Sequence, residues 1–131
     1  MKLRNKKTLT DEMRDIRQFA RFGLLEFSDH AMDRLHERNI KADQLVHMIQ
    51  LAGSTISQNR KPNKQRNEFE RFVVNVKNKS QKYHAVIQKE IAPHGGINYR
   101  IITAYEPSSQ FFRNDGSLKK RIERTRIAPT H

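Results

Sequence analysis

The hydrophobic period of this chain changes at Gly53, and that change limits the fold more than any other feature. Before Gly53, apolar residues recur at the spacing of amphipathic helices. After it, short runs of Val, Ile, Phe and Tyr are separated by turn residues. Helices first and strands second define an α+β chain, with the helices on one face of a sheet that the strands build among themselves. The length of 131 residues suits one domain, 1–131, with one core.

Three helices are expected. Thr10 reads as an N-cap, with Asp11 and Glu12 placed where negative charge suits the helix dipole. Met13, Ile16, Phe19 and Ala20 then follow helical spacing to a stop at Gly23, which predicts a helix over 11–22. Ser28 caps a second helix ending near Asn39, with Ala31, Met32 and Leu35 inward. "IKADQLVHMIQLAG" gives a third, with Leu45, Val46 and Ile49 inward and Gly53 as terminator.

"STISQ" is a short strand candidate, and "NRKPNKQRN" (59–67) reads as an exposed basic loop. Three longer strands follow, in "EFERFVVNVKN", "KYHAVIQKE" and "INYRIITAYEP". Asn78-Lys79-Ser80 and Pro93-His94-Gly95-Gly96 punctuate them, and Pro107-Ser108-Ser109 closes the last. Such short connections predict a twisted antiparallel meander of about four strands. Simple alternation puts Ile97, Tyr99, Ile101, Thr103 and Tyr105 on one face of the last strand, with Asn98, Arg100, Ile102 and Ala104 on the other.

Lys and Arg total 26 against 14 Asp and Glu, a net charge of +12 with a pI near 10.4. Such an excess attracts polyanions, and nucleic acid is the expected partner because phosphate neutralisation supplies most of its binding free energy. Two basic clusters are candidate RNA-binding surfaces: Arg60, Lys61, Lys64 and Arg66 in the loop, and Lys119, Lys120 and Arg121 in the tail, near Arg124 and Arg126. The chain has no cysteine, so disulfides, thiolate nucleophiles and thiolate-held zinc are excluded. No segment pairs a basic face with a wide apolar one, no run has the length of a membrane span, and no secretory h-region opens the chain. The expectation is therefore no membrane partner and action in the cytoplasm, with delivery inside a larger secreted toxin as the other route.

One helix carries an arrangement that opposes its own stability. In "FSDHAMDRLHERNI", His30, Arg34 and Arg38 recur every four residues. Each step turns only about 40° about the axis, so the three form a slanted stripe beside the buried face. Like charges four apart cost a few tenths of a kcal/mol. Long basic side chains bordering a core are one explanation. A phosphate held against the stripe is another, since guanidinium groups bind its oxygens in pairs. Histidine titrates near neutrality and suits proton transfer, so the set fits cleavage of an RNA phosphodiester by its neighbouring 2′-OH, with no metal and no cofactor. Glu37 is placed to pair with Arg34. His84, in a strand, and His94, beside two glycines, read as incidental.

The opening "FSDHAMDRLHERNI", a helix after it, the strands, and "RIITAYEP" together resemble a small bacterial and phage family with an H-A-x-x-R-x-x-x-R-x-I helix and a terminal T-x-Y strand. That family is similar to the barnase–EndoU–colicin–RelE (BECR) ribonuclease toxins, in which helices pack on a four-stranded antiparallel sheet. The resemblance covers about 24–107 and leaves the helix at 11–22 and the tail 108–131 as extensions. It implies a BECR/RelE-like metal-independent endoribonuclease acting on tRNA or another structured RNA, restrained by an acidic immunity or antitoxin protein. By position, His30 is the candidate acid/base and Arg34 and Arg38 the phosphate-holding pair. Thr103 would bond a phosphate oxygen or the 2′-OH, and Tyr105 would stack on a base or donate its hydroxyl. A non-catalytic nucleic-acid-binding module and a phage-type inhibitor on the same fold are the competing readings.

Overall fold

The structure, a computed structural model, describes residues 7–107. The elements run α1 (Leu9–Arg21), β1 (Glu26–Phe27), α2 (Asp29–Glu37), α3 (Ala42–Gln50), β2 (Thr55–Arg60), β3 (Glu70–Asn78), β4 (Gln81–Ile91) and β5 (Ile97–Tyr105). The fold is α+β, as expected, but among the described residues the sheet has five strands in the order β1-β5-β4-β3-β2. The strand beyond the expected four is β1, two residues lying parallel to β5. It is too short for any alternation to show in the sequence. The other neighbours are antiparallel.

Helix boundaries follow cap chemistry. Thr8, rather than Thr10, caps α1, its hydroxyl accepting from the Asp11 backbone N–H at 3.0 Å. Ser28 caps α2 as expected, accepting from the Ala31 N–H at 3.0 Å. Asn39, with φ 57°, turns the chain out of α2 while the Ile40 N–H returns to the Leu35 carbonyl at 2.9 Å. Asparagine tolerates this left-handed conformation better than most residues.

One core lies between the helices and the sheet. Met13, Ile16 and Ala20 of α1, Ala31 and Leu35 of α2, and Leu45, Met48 and Ile49 of α3 meet Phe72, Val74, Tyr83, Ala85, Ile87, Tyr99 and Ile101. Each large side chain so buried contributes about 1.5–3 kcal/mol of transfer free energy. Val46 packs against this core, and of the inward assignments one fails. Met48 takes a fully buried place, and Val46 is only partly covered. Met32, expected inward, is exposed on the flank of a cleft of about 290 Å³ between α2 and α3.

α1 is part of this core rather than an appendage. Its buried Glu12 accepts from the Tyr99 hydroxyl and pairs with Lys89 Nζ at 3.0 Å. Arg17 Nη2 donates to the Ser54 carbonyl at 2.7 Å, tying α1 to the turn after α3. Burial and the Glu12 carboxylate push the Tyr99 phenol far above its ordinary pKa, so it remains a donor.

A bulge in β5 decides where the end of the chain's last strand points. Val86 pairs with Thr103 and Ile87 with Ile101, so Ile102 is an extra residue on β5. Beyond it the alternation reverses. Tyr99, Ile101 and Ala104 face the helices, whereas Ile102 and Tyr105 pack with Val73 and Val86 on the outer face, and Thr103 sits opposite Val86 there. The expectation that Thr103 and Tyr105 share a face with Tyr99 and Ile101 is thereby corrected. A bulge adds one residue to one strand, and nothing in an alternating sequence marks it.

Candidate functional site

The site forms where α2 runs beside the end of β5. The Ser28 N–H donates to the Ile101 carbonyl at 3.1 Å, continuing the β1–β5 pairing straight into the cap of α2. β1 reaches only as far as Ile101, so the last residues of β5 have no strand on that side among the described residues. Arg38, at the C-cap of α2, occupies the gap. Its Nη1 donates to Thr103 Oγ1 at 3.0 Å and to the Ala104 carbonyl at 2.8 Å. The guanidinium thus satisfies an edge carbonyl that a further strand would otherwise bond.

The other two members of the stripe pair with each other. Arg34 Nε donates to His30 Nε2 at 3.0 Å. Glu37 approaches Arg34 Nη1 to 3.7 Å, the pairing expected from their spacing. His30 is exposed, Arg34 half-buried and Arg38 exposed despite its anchor. Eight residues of helix separate His30 from Arg38 by about 12 Å along the axis. The stripe is therefore a line with a histidine at one end and a strand-anchored arginine at the other.

Thr103 meets the line through Arg38, and both it and Tyr105 are buried. Tyr105 lies cross-strand from His84, their rings edge-to-face with centroids 5.4 Å apart. His84, which reads as incidental in the sequence, is thus a buried packing partner of Tyr105. The signal that could have found it is its place within the apolar run "YHAVI", where a histidine must be buried with a partner. His94 has a local role, its Nδ1 accepting from the Gly96 N–H at 3.1 Å in the β4–β5 turn.

The basic loop stands apart. Lys61, Lys64 and Arg66 are exposed between β2 and β3, beyond the cross-strand row Arg60–Arg71–Gln88–Arg100. Tyr105 ends a different row, through His84 and Asn75 to Thr55. Three strand spacings and five residues along the strands put Arg60 about 20 Å from Tyr105. Arg60 donates from Nη2 to the Phe69 carbonyl at 2.9 Å, and Lys61 approaches Glu70 to 3.8 Å. The structure thus pairs His30 with Arg34 and Arg38 with Thr103, places Tyr105 on the outer face beside His84, and leaves Arg60, Lys61, Lys64 and Arg66 at the far corner. Lys119, Lys120 and Arg121 lie outside the described residues.

At that far end the outer face carries a polar network. Arg100 binds both oxygens of Glu90, from Nε at 3.0 Å and Nη2 at 3.1 Å, and reaches Glu26 at 3.0 Å. This clamp secures the short β1 to β5. The Arg100 guanidinium holds the Glu90 carboxyl below the usual carboxylate range, with Gln88 and Asn98 adding to the effect. Among the described residues, no three His, Asp or Glu side chains cluster to hold a metal ion, and no helix is long and apolar enough to cross a membrane.

Fold and site together define a small α+β domain in which a helix bearing a His30/Arg34/Arg38 stripe is laid against an open strand end. Residues 27–106 match the family described as a domain of unknown function, DUF4258, and the chain belongs to that family. The matched segment begins at Phe27, so α1 lies outside it while supplying part of the core. No curated protein and no solved structure matches the chain.

Proposed function

We propose that this chain is a metal-independent endoribonuclease domain resembling the BECR toxins, cleaving structured RNA, with tRNA the favoured substrate. The observation that carries the reading is the contact between Arg38 and Thr103, which joins the helix motif to the strand motif around one exposed cationic line. A net charge of +12 supports a phosphate-bearing substrate.

A scissile phosphate lying along the line would take Arg34 and Arg38 as its counter-charges. Arg34 then exchanges its bond to His30 for one to a phosphate oxygen, which returns the Nε2 lone pair to the imidazole. His30 accepts the 2′-OH proton as the 2′-oxygen bonds to phosphorus. The P–O5′ bond breaks, and the leaving oxygen takes a proton from solvent. The product ends are a 2′,3′-cyclic phosphate and a 5′-OH. The arginines stabilise charge developing on the phosphoryl oxygens, an effect that reaches several kcal/mol in preorganised sites. An acidic immunity or antitoxin protein covering the stripe would restrain such an activity, and the cytoplasm is where the substrate resides.

One observation favours the second reading, a nucleic-acid-binding module without catalysis. Thr103 and Tyr105 are buried, so neither reaches a nucleotide as the molecule stands. The protein and its His30→Ala variant, incubated with total RNA in EDTA, separate the two. Discrete cuts bearing 2′,3′-cyclic phosphates, lost in the variant, are the expected result. Intact RNA bound equally by both proteins would refute catalysis and leave the binding module.

A further inference from the structure

The connection between β2 and β3 is a bonded hairpin. Asn63 and Glu68 exchange both backbone hydrogen bonds at 2.9 Å, and four residues turn between them. Asn67 takes the left-handed position with φ 58°, its N–H donating to the Lys64 carbonyl at 3.1 Å. The Asn63 side chain accepts from the Arg66 N–H at 3.2 Å. This pairing continues the register of Arg60 with Arg71, so Pro62 lies opposite Phe69. The pair beside one that exchanges hydrogen bonds is a non-bonded pair, where opposed side chains come closest. Proline fits there because no N–H is called for. Arg60 Nη2 holds the Phe69 carbonyl at 2.9 Å, which fixes the base of the hairpin.

The result is a preorganised apolar pair in water. Phe69 is 45% exposed, and Pro62 is exposed beside it. Residues 60–71 hold five basic residues against two acidic ones, and Lys61, Lys64 and Arg66 are all exposed. We propose that this hairpin is a single-stranded RNA site, in which a base stacks on Phe69 while Lys64 and Arg66 meet the adjoining phosphates. Stacking on an aromatic ring beside a cationic track is how single strands are held without regard to sequence. A duplex offers the phosphates but keeps its base faces stacked inside, so a single strand is the form that uses both the ring and the cations. The hairpin lies about 20 Å from Tyr105, so the strand is gripped at a second point remote from the α2 stripe. The inference rests on the RNA-binding part of the proposed function and is independent of cleavage.

A 2′-O-methyl oligouridine of about 10 nucleotides, which lacks the attacking hydroxyl, tests it by fluorescence anisotropy with the full chain. Phe69→Ala should weaken binding about 5- to 150-fold and leave the salt slope unchanged, since the phosphate contacts remain. Phe69→Tyr should keep the parent's affinity, and Phe69→Leu should fall with alanine. Unfolding midpoints close to the parent's report that the variants are folded. Parent-like affinity in Phe69→Ala or Phe69→Leu would overturn the proposal, as would an equal loss on an abasic oligomer. An oligonucleotide that neither parent nor variants bind would overturn it together with the RNA reading, and leave the hairpin to a protein partner. Binding that depends on Phe69 while total RNA stays intact would uphold the hairpin site and refute catalysis alone.

Discussion

Replacing Arg38 by Gln separates an architectural role from a role at phosphate. Arg38 Nη1 supplies hydrogen bonds to Thr103 Oγ1 and to the Ala104 carbonyl, both partly buried. Charged-donor bonds are worth about 1.5–3 kcal/mol each when fully enclosed. Arg38 is exposed and the strand edge can recruit water, so about 1 kcal/mol apiece is the reasonable figure, or about 2 kcal/mol in all. For a domain of 131 residues that lowers Tm by about 6–10 °C. Arg34→Gln removes only the bond to His30 and a loose pairing to Glu37, and should stay within about 0.5 kcal/mol of the parent. Urea unfolding of both variants at matched ionic strength, with m-values compared, gives the two numbers. If Arg38→Gln unfolds at the parent's midpoint, the edge-capping argument fails and Arg38 is held for ligand alone. If both variants lose stability equally, the stripe stabilises the fold as a unit and its division into two pairs is wrong.

Glu12→Ala should cost about 3–5 kcal/mol, because it strands the Tyr99 hydroxyl and Lys89 in the core. Tyr99→Phe should cost only about 1–2 kcal/mol, since Lys89 still holds Glu12; equal losses in denaturant titrations would contradict this ordering. Glu90 makes the outer network acid-sensitive. Its folded pKa lies below the unfolded value of about 4.3, so its contribution is complete above that pH and disappears as pH falls through the depressed value. Glu90→Gln should therefore be less stable than the parent at pH 7, with the gap closing below about pH 4; a gap independent of pH would exclude the linkage. Lys64→Ala and Arg66→Ala should each reduce the salt slope of RNA binding by about 0.7–0.9 if the loop contacts phosphate, and unchanged slopes would place the RNA elsewhere.

The geometry of the α2 stripe is legible in the sequence, because helices announce themselves locally. The four-residue spacing of His30, Arg34 and Arg38 fixes their shared stripe, and the Ser28 cap fixes where that stripe begins. The pairing of Glu37 with Arg34 follows from the same geometry. Strand partners are harder, since each depends on a residue distant in sequence. The packing of His84 against Tyr105, 21 positions on, depends on a register no local pattern encodes. The exposed basic loop was legible, but not its distance from the stripe, which follows from β2 and β5 being separated by β3 and β4.

The sequence by itself determined the α+β class, the three helices, the strand segments and the cationic line on α2, because hydrophobic period, caps and turns act over a few residues. Tertiary structure alone decided three things. It added β1 as a parallel edge strand, drew α1 into the core through Glu12 and Arg17, and inserted Ile102 as the bulge that turns Thr103 and Tyr105 to the outer face. Each is a contact between residues far apart in the chain. Its free energy arises from burial and pairing that exist only once the whole sheet has closed, and no short window of sequence records it.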